Sequence, residues 1–361
     1  MGTQSTSVGL DVHARSVVGC GLDGRSGQLF ERRLTPDHDD VLGWLAELPA
    51  PVTVTYEAGP TGYGLARALR AAGIECRVAA PSKLQRPSGD RVKTDKRDAR
   101  HLARLLHLDD IVEVAVPSVE QETARDLVRA RDDARRDLMA ARHRVSKLLL
   151  RQGIVYSGGT AWTKTHERWL RTHRFEARSL QLTYDTALET MLATVDRRDR
   201  LDEEITAVAA ESIYTPVVTR LGCLRGVSTL TGFGLAVEIG DWHRFTGRSI
   251  GAFVGLVPTE ESTGSSRSQG PITKAGNAHV RRLLIEAAWQ QRAPYRTPGV
   301  GLRRRWEKAS PVAVARGAQG NRRLHARWER FDARRKRPTA ANTAIARELA
   351  GWCWSLATLE E

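Results

Sequence analysis

The stretch SVGLDVHARSVVGCGLDGRSGQLFERRL, residues 7–34, decides the fold. An apolar run ending at Asp11, a second from Val17 to Leu22 and, after a turn, a third from near Gln28 to Leu34 predict three short strands in a β-meander. Outward from it, HDDVLGWLAEL (38–48) reads as a short amphipathic helix and PVTVTYEAG (51–59) as a buried strand ending at Glu57. TGYGLARALRAAG (61–73) reads as a helix closed by Gly73, and IECRVAAP (74–81) as another strand. After Pro81 the chain turns polar, then KTDKRDARHLARLLHL (93–108) resumes a helical period, with Ala99, Leu102, Ala103, Leu105 and Leu106 on one apolar face. The order is βββαβαβα.

Two long amphipathic segments follow. From Ser118 to Leu150, Leu127, Ala130, Ala134, Leu138, Ala141, Val145 and Leu148 recur at three- and four-residue steps; Leu180 to Val208 repeats the pattern. They predict a coiled-coil region, either an antiparallel hairpin or an oligomerisation arm. A Gly- and turn-rich region opens at Pro216 and leads to a basic stretch and a last helix around TAIARELAGWCW. The expected division is therefore 1–115, an α/β domain, 116–215, a helical coiled-coil region, and 216–361, a mainly α domain.

Lys and Arg number 56 against 42 acidic residues, and 15 of the basic residues against 3 acidic ones lie between Gln291 and Arg337. Such local density points to a polyanion, nucleic acid first, although a charge run can also be a plain solvated face. The four cysteines form no CxxC pair, so neither a disulfide framework nor a structural zinc is indicated, which fits a reducing cytoplasm. No apolar run reaches membrane-span length and the N-terminus lacks a signal-peptide pattern, so neither a membrane partner nor export is expected.

Carboxylates recur at element ends. Asp11 closes the first strand and Glu57 the fourth, while Asp95 and Asp98 lie one helical turn apart. Converging carboxylates repel one another unless a cation sits among them, and Mg²⁺ or Mn²⁺ with oxygen ligands is the natural occupant. Lys93, Lys96 and Arg97 flank the pair and would hold a phosphate strand. Each acid also has an ordinary reading: Thr94 or Asp95 as an N-cap, Asp98 as an early-turn acid, Asp11 and Glu57 as turn and loop residues, His13 as a surface histidine.

In the C-terminal third, VGLVPTEESTGSSRSQGPITKAGNAHVRRLLIEAAW (254–289) places Ser262, Thr263 and Gly264 in a polar loop, with Arg267, Lys274, Arg281 and Arg282 close in sequence. A serine in a cationic, phosphate-polarising setting suits attack on a phosphodiester; a Ser-rich turn is the plain alternative. LRGVSTLTGFGLAVEIG (224–240) reads as a helix-hairpin-helix or a tight helical turn. Arg303, Arg304, Arg305, Arg322, Arg323, Arg334 and Arg335 supply further phosphate contacts.

The βββαβαβα order with these carboxylates resembles the RNase H/RuvC-like nuclease fold. With GLDVH, YEAGPTGYGLARAL and KTDKRDARHLARLL in the N-terminal part, and LRGVSTLTGFGLAVEIGD, AFVGLVPTEESTG and ITKAGNAHVRRLL in the C-terminal part, nearly the whole chain resembles the DEDD transposases of the insertion sequence 110 family. The resemblance implies that Asp11, Glu57, Asp95 and Asp98 form the metal set and that Ser262 is the nucleophile, in a Ser-Thr-Gly where the family pattern is Ser-Ser-Gly. It further implies a recombinase acting on donor and target DNA under a structured noncoding bridge RNA, as a homo-oligomer (dimer or tetramer) whose acidic and serine halves come from different subunits. Other readings of the same residues are a metal-only junction nuclease, a DNA invertase, and a non-catalytic nucleic-acid-binding scaffold.

Overall fold

A computed structural model describes residues 5–84, 94–263 and 266–360, and the chain divides into two compact units, Met1–Ser118 and Val119–Glu361.

The first unit is built on strands β1 (Thr6–His13), β2 (Ser16–Asp23), β3 (Leu29–Leu34), β4 (Val52–Glu57) and β5 (Glu75–Ala79). Helices α1 (His38–Ala46) and α2 (Gly64–Ala71) lie between the later strands, and α3 (Asp95–His107) follows a 3₁₀ turn at Pro81–Lys83. The sheet order is β3-β2-β1-β4-β5, antiparallel across β3, β2 and β1 and parallel across β1, β4 and β5. This mixed order is consistent with an RNase H-like domain.

Alternation along the strands sorts the two faces. Val8, Leu10, Val17, Val54, Tyr56 and Val78 bury against Val41, Trp44 and Leu45 of α1 and Leu65, Ala66 and Leu69 of α2. On the other face Val18 and Cys20 pack against Ala99 and Ala103 of α3. That helix lies almost on the sheet: a Cβ built on Gly9 of β1 would stand 2.2 Å from the Ala99 carbonyl oxygen and 2.5 Å from the Ala103 nitrogen. Only glycine lets the backbones approach so closely. Glu31 of β3 ties the same helix down from the side, accepting from Lys96 at 2.6 Å and Arg100 at 2.7 Å.

The second unit is helical apart from one hairpin. Its elements are α4 (Val119–Arg151), α5 (Lys164–Leu170), α6 (Arg178–Ala210), α7 (Thr215–Leu221), α8 (Thr229–Ile239), α9 (Ile250–Phe253), β6 (Pro258–Thr263), β7 (Ser266–Ile272), α10 (Ala278–Trp289), α11 (Val300–Trp306), α12 (Pro311–Ala333) and α13 (Pro338–Ala357). Helices α4 and α6, 33 residues each, run antiparallel: Ala124 and Val128 meet Ile205 and Ala209, Arg131 pairs with Asp202 at 2.6 Å, and Leu148 shares a cluster with Tyr184. The apolar seam thus finds its partner within the same chain and does not by itself call for a second copy.

Two sequence expectations change here. The serine segment, expected as a loop, lies in a two-stranded antiparallel hairpin in which Ser262 pairs with Arg267. Its strands are polar on both faces, so the alternation that reveals a half-buried strand is missing. The basic stretch contains the 23-residue helix α12, whose buried face is Ala313, Gly317, Gly320, Asn321, Leu324 and Trp328. Small residues hide the period, and close packing explains them: a Cβ on Gly317 would meet Cys223 Cβ at 2.5 Å.

Candidate active site

Two neighbouring parallel strands bring the first carboxylates to one edge. β1 and β4 pair in register up to Leu10 and Tyr56, so Asp11, two residues before the end of β1, and Glu57, the last residue of β4, follow at the same edge of the ladder. Since Leu10 and Tyr56 bury on the α1/α2 face, alternation sends Asp11, His13 and Glu57 to the face covered by α3.

The start of α3 completes the arrangement. Thr94 is its N-cap, its hydroxyl accepting from the Arg97 amide at 3.3 Å, so capping is met without Asp95. Asp95 is exposed and Asp98 half-buried, both in the first turn, where the helix dipole favours negative charge. One donor atom each from Asp11, His13 and Asp95 lies within 4.8 Å of the others. His13 Nδ1 stands 3.6 Å from Asp11 Oδ2. Glu57 and Asp98 stand outside this trio. Two carboxylates and an imidazole at this spacing are a donor set that fits a divalent cation.

The cationic residues divide into exposed and engaged. Lys96 is 62% exposed yet bonded to Glu31, whose carboxyl the bonds from Lys96 and Arg100 hold below its usual range. Lys274, Arg303, Arg304, Arg322, Arg334 and Arg335 are exposed. Arg281 instead donates to the Val254 and Ala275 carbonyls, and Arg282 pairs with Asp132 at 2.8 Å and Glu286 at 2.7 Å. Arg305 donates to the Gly222 carbonyl at 2.9 Å, its pKa lowered by burial, and Arg323 bonds Glu348 at 3.1 Å. Arg305 and Arg282 are half-buried with their donors taken up by Gly222 and Asp132, whereas Arg323 is more than half exposed and its bond to Glu348 lies at the surface. Lys93 lies outside the described residues, as do the side chains of Ser262, Thr263 and Arg267 and the whole of Gly264.

One buried carboxylate was not legible in the sequence. Glu238 sits in the otherwise apolar helix α8 with its side chain fully buried, accepting from Arg129 through two bonds of 2.9 Å, from Asn277 at 2.7 Å and from His279 at 3.0 Å. Burial raises its pKa, but the bonds from His279, Arg129 and Asn277 outweigh that and bring it down to about 2. Asn277 also caps α10, accepting from the amides of His279 and Val280. Arg125 and Gln121 donate to the last carbonyls of α8, so α4, α8 and α10 meet at one polar node beneath the serine hairpin's connection to α10. A lone acid inside an apolar run was the available signal, since such an acid demands cations around it.

The four cysteines are free and buried, and among the described residues no helix is long and apolar enough to cross a membrane.

Residues 8–153, spanning the carboxylate edge and α4, match the DEDD-type transposase family of IS110 elements, and residues 218–298, spanning the polar node and serine hairpin, match the family described as Transposase IS116/IS110/IS902. A putative transposase of Sinorhizobium fredii, y4qE, is 42% identical over 84% of this chain and 74% of its own length. The transposase for insertion sequence element IS1533 of Leptospira borgpetersenii is 32% identical over 91% and 97% respectively. The transposase for IS1111A of Coxiella burnetii is 25% identical over 78% of this chain and 76% of its own. With both domains matched in order and relatives aligned along most of their length, the chain belongs to the IS110 family of insertion-sequence transposases.

Proposed function

We propose that this transposase cuts and rejoins donor and target DNA with a hybrid site: Asp11, Glu57, Asp95 and Asp98 hold Mg²⁺ or Mn²⁺, and Ser262 is the nucleophile. What supports the reading is the edge where Asp11 and Glu57 lie on neighbouring parallel strands and donor atoms of Asp11 and Asp95 come within 4.8 Å, at the start of the helix that also carries Asp98. On this reading the chain has three functional segments: a nuclease domain over 1–115, the helical arm over 116–215, and the serine-bearing, basic domain over 216–361.

When bound, a divalent cation supplies positive charge that polarises the scissile phosphate. Asp11 and Asp95 would hold the ion, and Arg97 and Lys96, at the start of α3, would contact phosphates of the strand beside it. Ser262 gives up its hydroxyl proton and forms an Oγ–P bond while one P–O bond to deoxyribose breaks, the released sugar oxygen taking a proton. A sugar hydroxyl of the exchanged strand then attacks the phosphoserine and restores the serine, so no bond energy is lost to water. The exposed arginines of α11, α12 and the segment after α12 bind phosphates, of the DNA and of a structured guide RNA that pairs with both substrates. A dimer or tetramer would supply acidic and serine halves from separate copies.

The test is recombination of the element's own ends with its flanking transcript, comparing wild type with Ser262→Ala and Asp98→Asn while trapping protein–DNA adducts. Loss of recombination in both, with the adduct absent in Ser262→Ala, is expected. Cutting and joining by Ser262→Ala would remove the serine from the mechanism and leave a metal-only nuclease.

A further inference from the structure

The acids alone do not describe the carboxylate edge, because His13 stands among them. It is the last residue of β1 and pairs with Ser16, the first of β2, so only Ala14 and Arg15 separate the two strands. A connection that short fixes the backbone at His13. Alternation places its side chain on the face of Asp11, two residues earlier, and under the start of α3.

The spacing argues about its role. An imidazole that served only to orient Asp11 would hydrogen-bond it at about 2.7–3.2 Å. His13 Nδ1 is 3.6 Å from Asp11 Oδ2, and donor atoms of His13, Asp11 and Asp95 all lie within 4.8 Å of one another. Donors around one cation with bonds near 2.1 Å stand about 3 Å apart when adjacent and about 4.2 Å apart when opposite. The 3.6 Å separation falls between those two spacings, and the 4.8 Å limit on the trio lies above the wider one, so side-chain rotation must draw the donors in.

We infer that His13 is a direct ligand of the divalent cation, joining Asp11 and Asp95 of the proposed four-acid site, and that it biases the site toward Mn²⁺ over Mg²⁺. The inference rests on the reading of the carboxylate edge as a metal site. The chemistry of the bias is the nitrogen donor. Mg²⁺ takes oxygen ligands in strict octahedral geometry, whereas imidazole binds later first-row ions more tightly, and Mn²⁺ accepts both oxygen and nitrogen. His13 is 55% exposed at its side chain, so replacing it removes a donor without opening the core.

The experiment uses the metal-stripped full chain without nucleic acid, titrated with Mn²⁺ and with Mg²⁺ by calorimetry, and pulsed EPR of the Mn²⁺-bound form. Wild type is expected to show directly coordinated nitrogen. His13→Ala is expected to lose that signal and at least about tenfold of Mn²⁺ affinity while Mg²⁺ affinity changes less than about threefold. His13→Asp, an all-oxygen set, is expected to narrow the Mn²⁺ preference. If Mn²⁺ binding is abolished by Asp11→Asn but His13→Ala keeps wild-type affinity and the nitrogen signal, His13 is not a ligand and the proposal fails alone. If wild type binds neither ion and Asp11→Asn changes nothing, the carboxylate edge is not a metal site and the proposal falls with it.

Discussion

Gly9→Ala is the sharpest test of how the fold holds the carboxylate edge. The added methyl would sit 2.2 Å from the Ala99 carbonyl oxygen, 2.5 Å from the Ala103 nitrogen and 2.8 Å from Leu102 Cβ. Two of these neighbours are backbone, as is the strand that carries the methyl, so no rotamer change relieves the overlap. Restoring ordinary contact requires α3 to withdraw by about 1 Å, at a cost toward the upper end of the roughly 1–3 kcal/mol seen for overpacked cores. The same helix presents Asp95 to Asp11 and His13, and a metal constellation tolerates only about 0.5 Å of displacement. Stability and Mn²⁺ affinity should therefore fall together. Urea unfolding gives the first quantity and calorimetry the second, while hydrogen exchange should show α3 amides opening before those of α1. Because the worst clashes are with backbone atoms, Ala103→Gly should not rescue the variant. Wild-type stability and affinity in Gly9→Ala, or rescue by Ala103→Gly, would refute the reasoning.

Three further outcomes follow from the helical unit. Glu238 has a folded pKa of about 2, below its ordinary 4.5, so its contribution is full above about pH 4.5 and is lost as pH falls toward 2. The shift corresponds to about 3 kcal/mol; the urea-midpoint difference between wild type and Glu238→Gln should shrink between pH 6 and pH 3, and a constant difference would show that the network does not hold the charged form. Neutralising the exposed pair Arg334 and Arg335 should reduce the salt slope of DNA binding by roughly 1 for each phosphate that is no longer neutralised, with thermal stability unchanged. Arg305→Ala should instead cost about 1–3 kcal/mol of stability, because the Gly222 carbonyl it serves is left without its donor. Fluorescence anisotropy across a salt series and thermal denaturation separate the two classes.

Much of the first unit was legible because its signals are local. Alternating apolar residues define β1, β2 and β4, Gly73 marks the end of α2, and the apolar face of α3 repeats at helical steps, so the βββαβαβα order could be read directly. The pairing of β1 with β4 could not be read from spacing, yet it is what brings Asp11 and Glu57 to the same edge. In the second unit the signals are contextual. Gly317 and Gly320 look like helix breakers until Cys223, Leu224 and Trp352 are seen pressed against them. Likewise Arg281, Arg282 and Arg305 looked like phosphate ligands in a basic run, and only the positions of the Val254, Ala275 and Gly222 carbonyls and the Asp132 carboxylate show where their donors go. His13 was visible as a residue two beyond Asp11, but its weight depends on the hairpin that fixes it.

The antiparallel pair α4 and α6 is anchored at its two ends by different cores: Ala124, Val128, Ile205 and Ala209 pack with Phe233 and Val237 of α8, while Leu148, Leu170, Tyr184 and Leu188 pack with α5 far along the arm. A helix of 33 residues is about 50 Å long, so a pivot of about 5° where Arg125 and Arg129 grip α8 would swing the far end by about 4 Å. Such a pivot would carry a displacement of the α5 end, reduced in amplitude, to the node where Asn277 bonds Glu238 and caps α10.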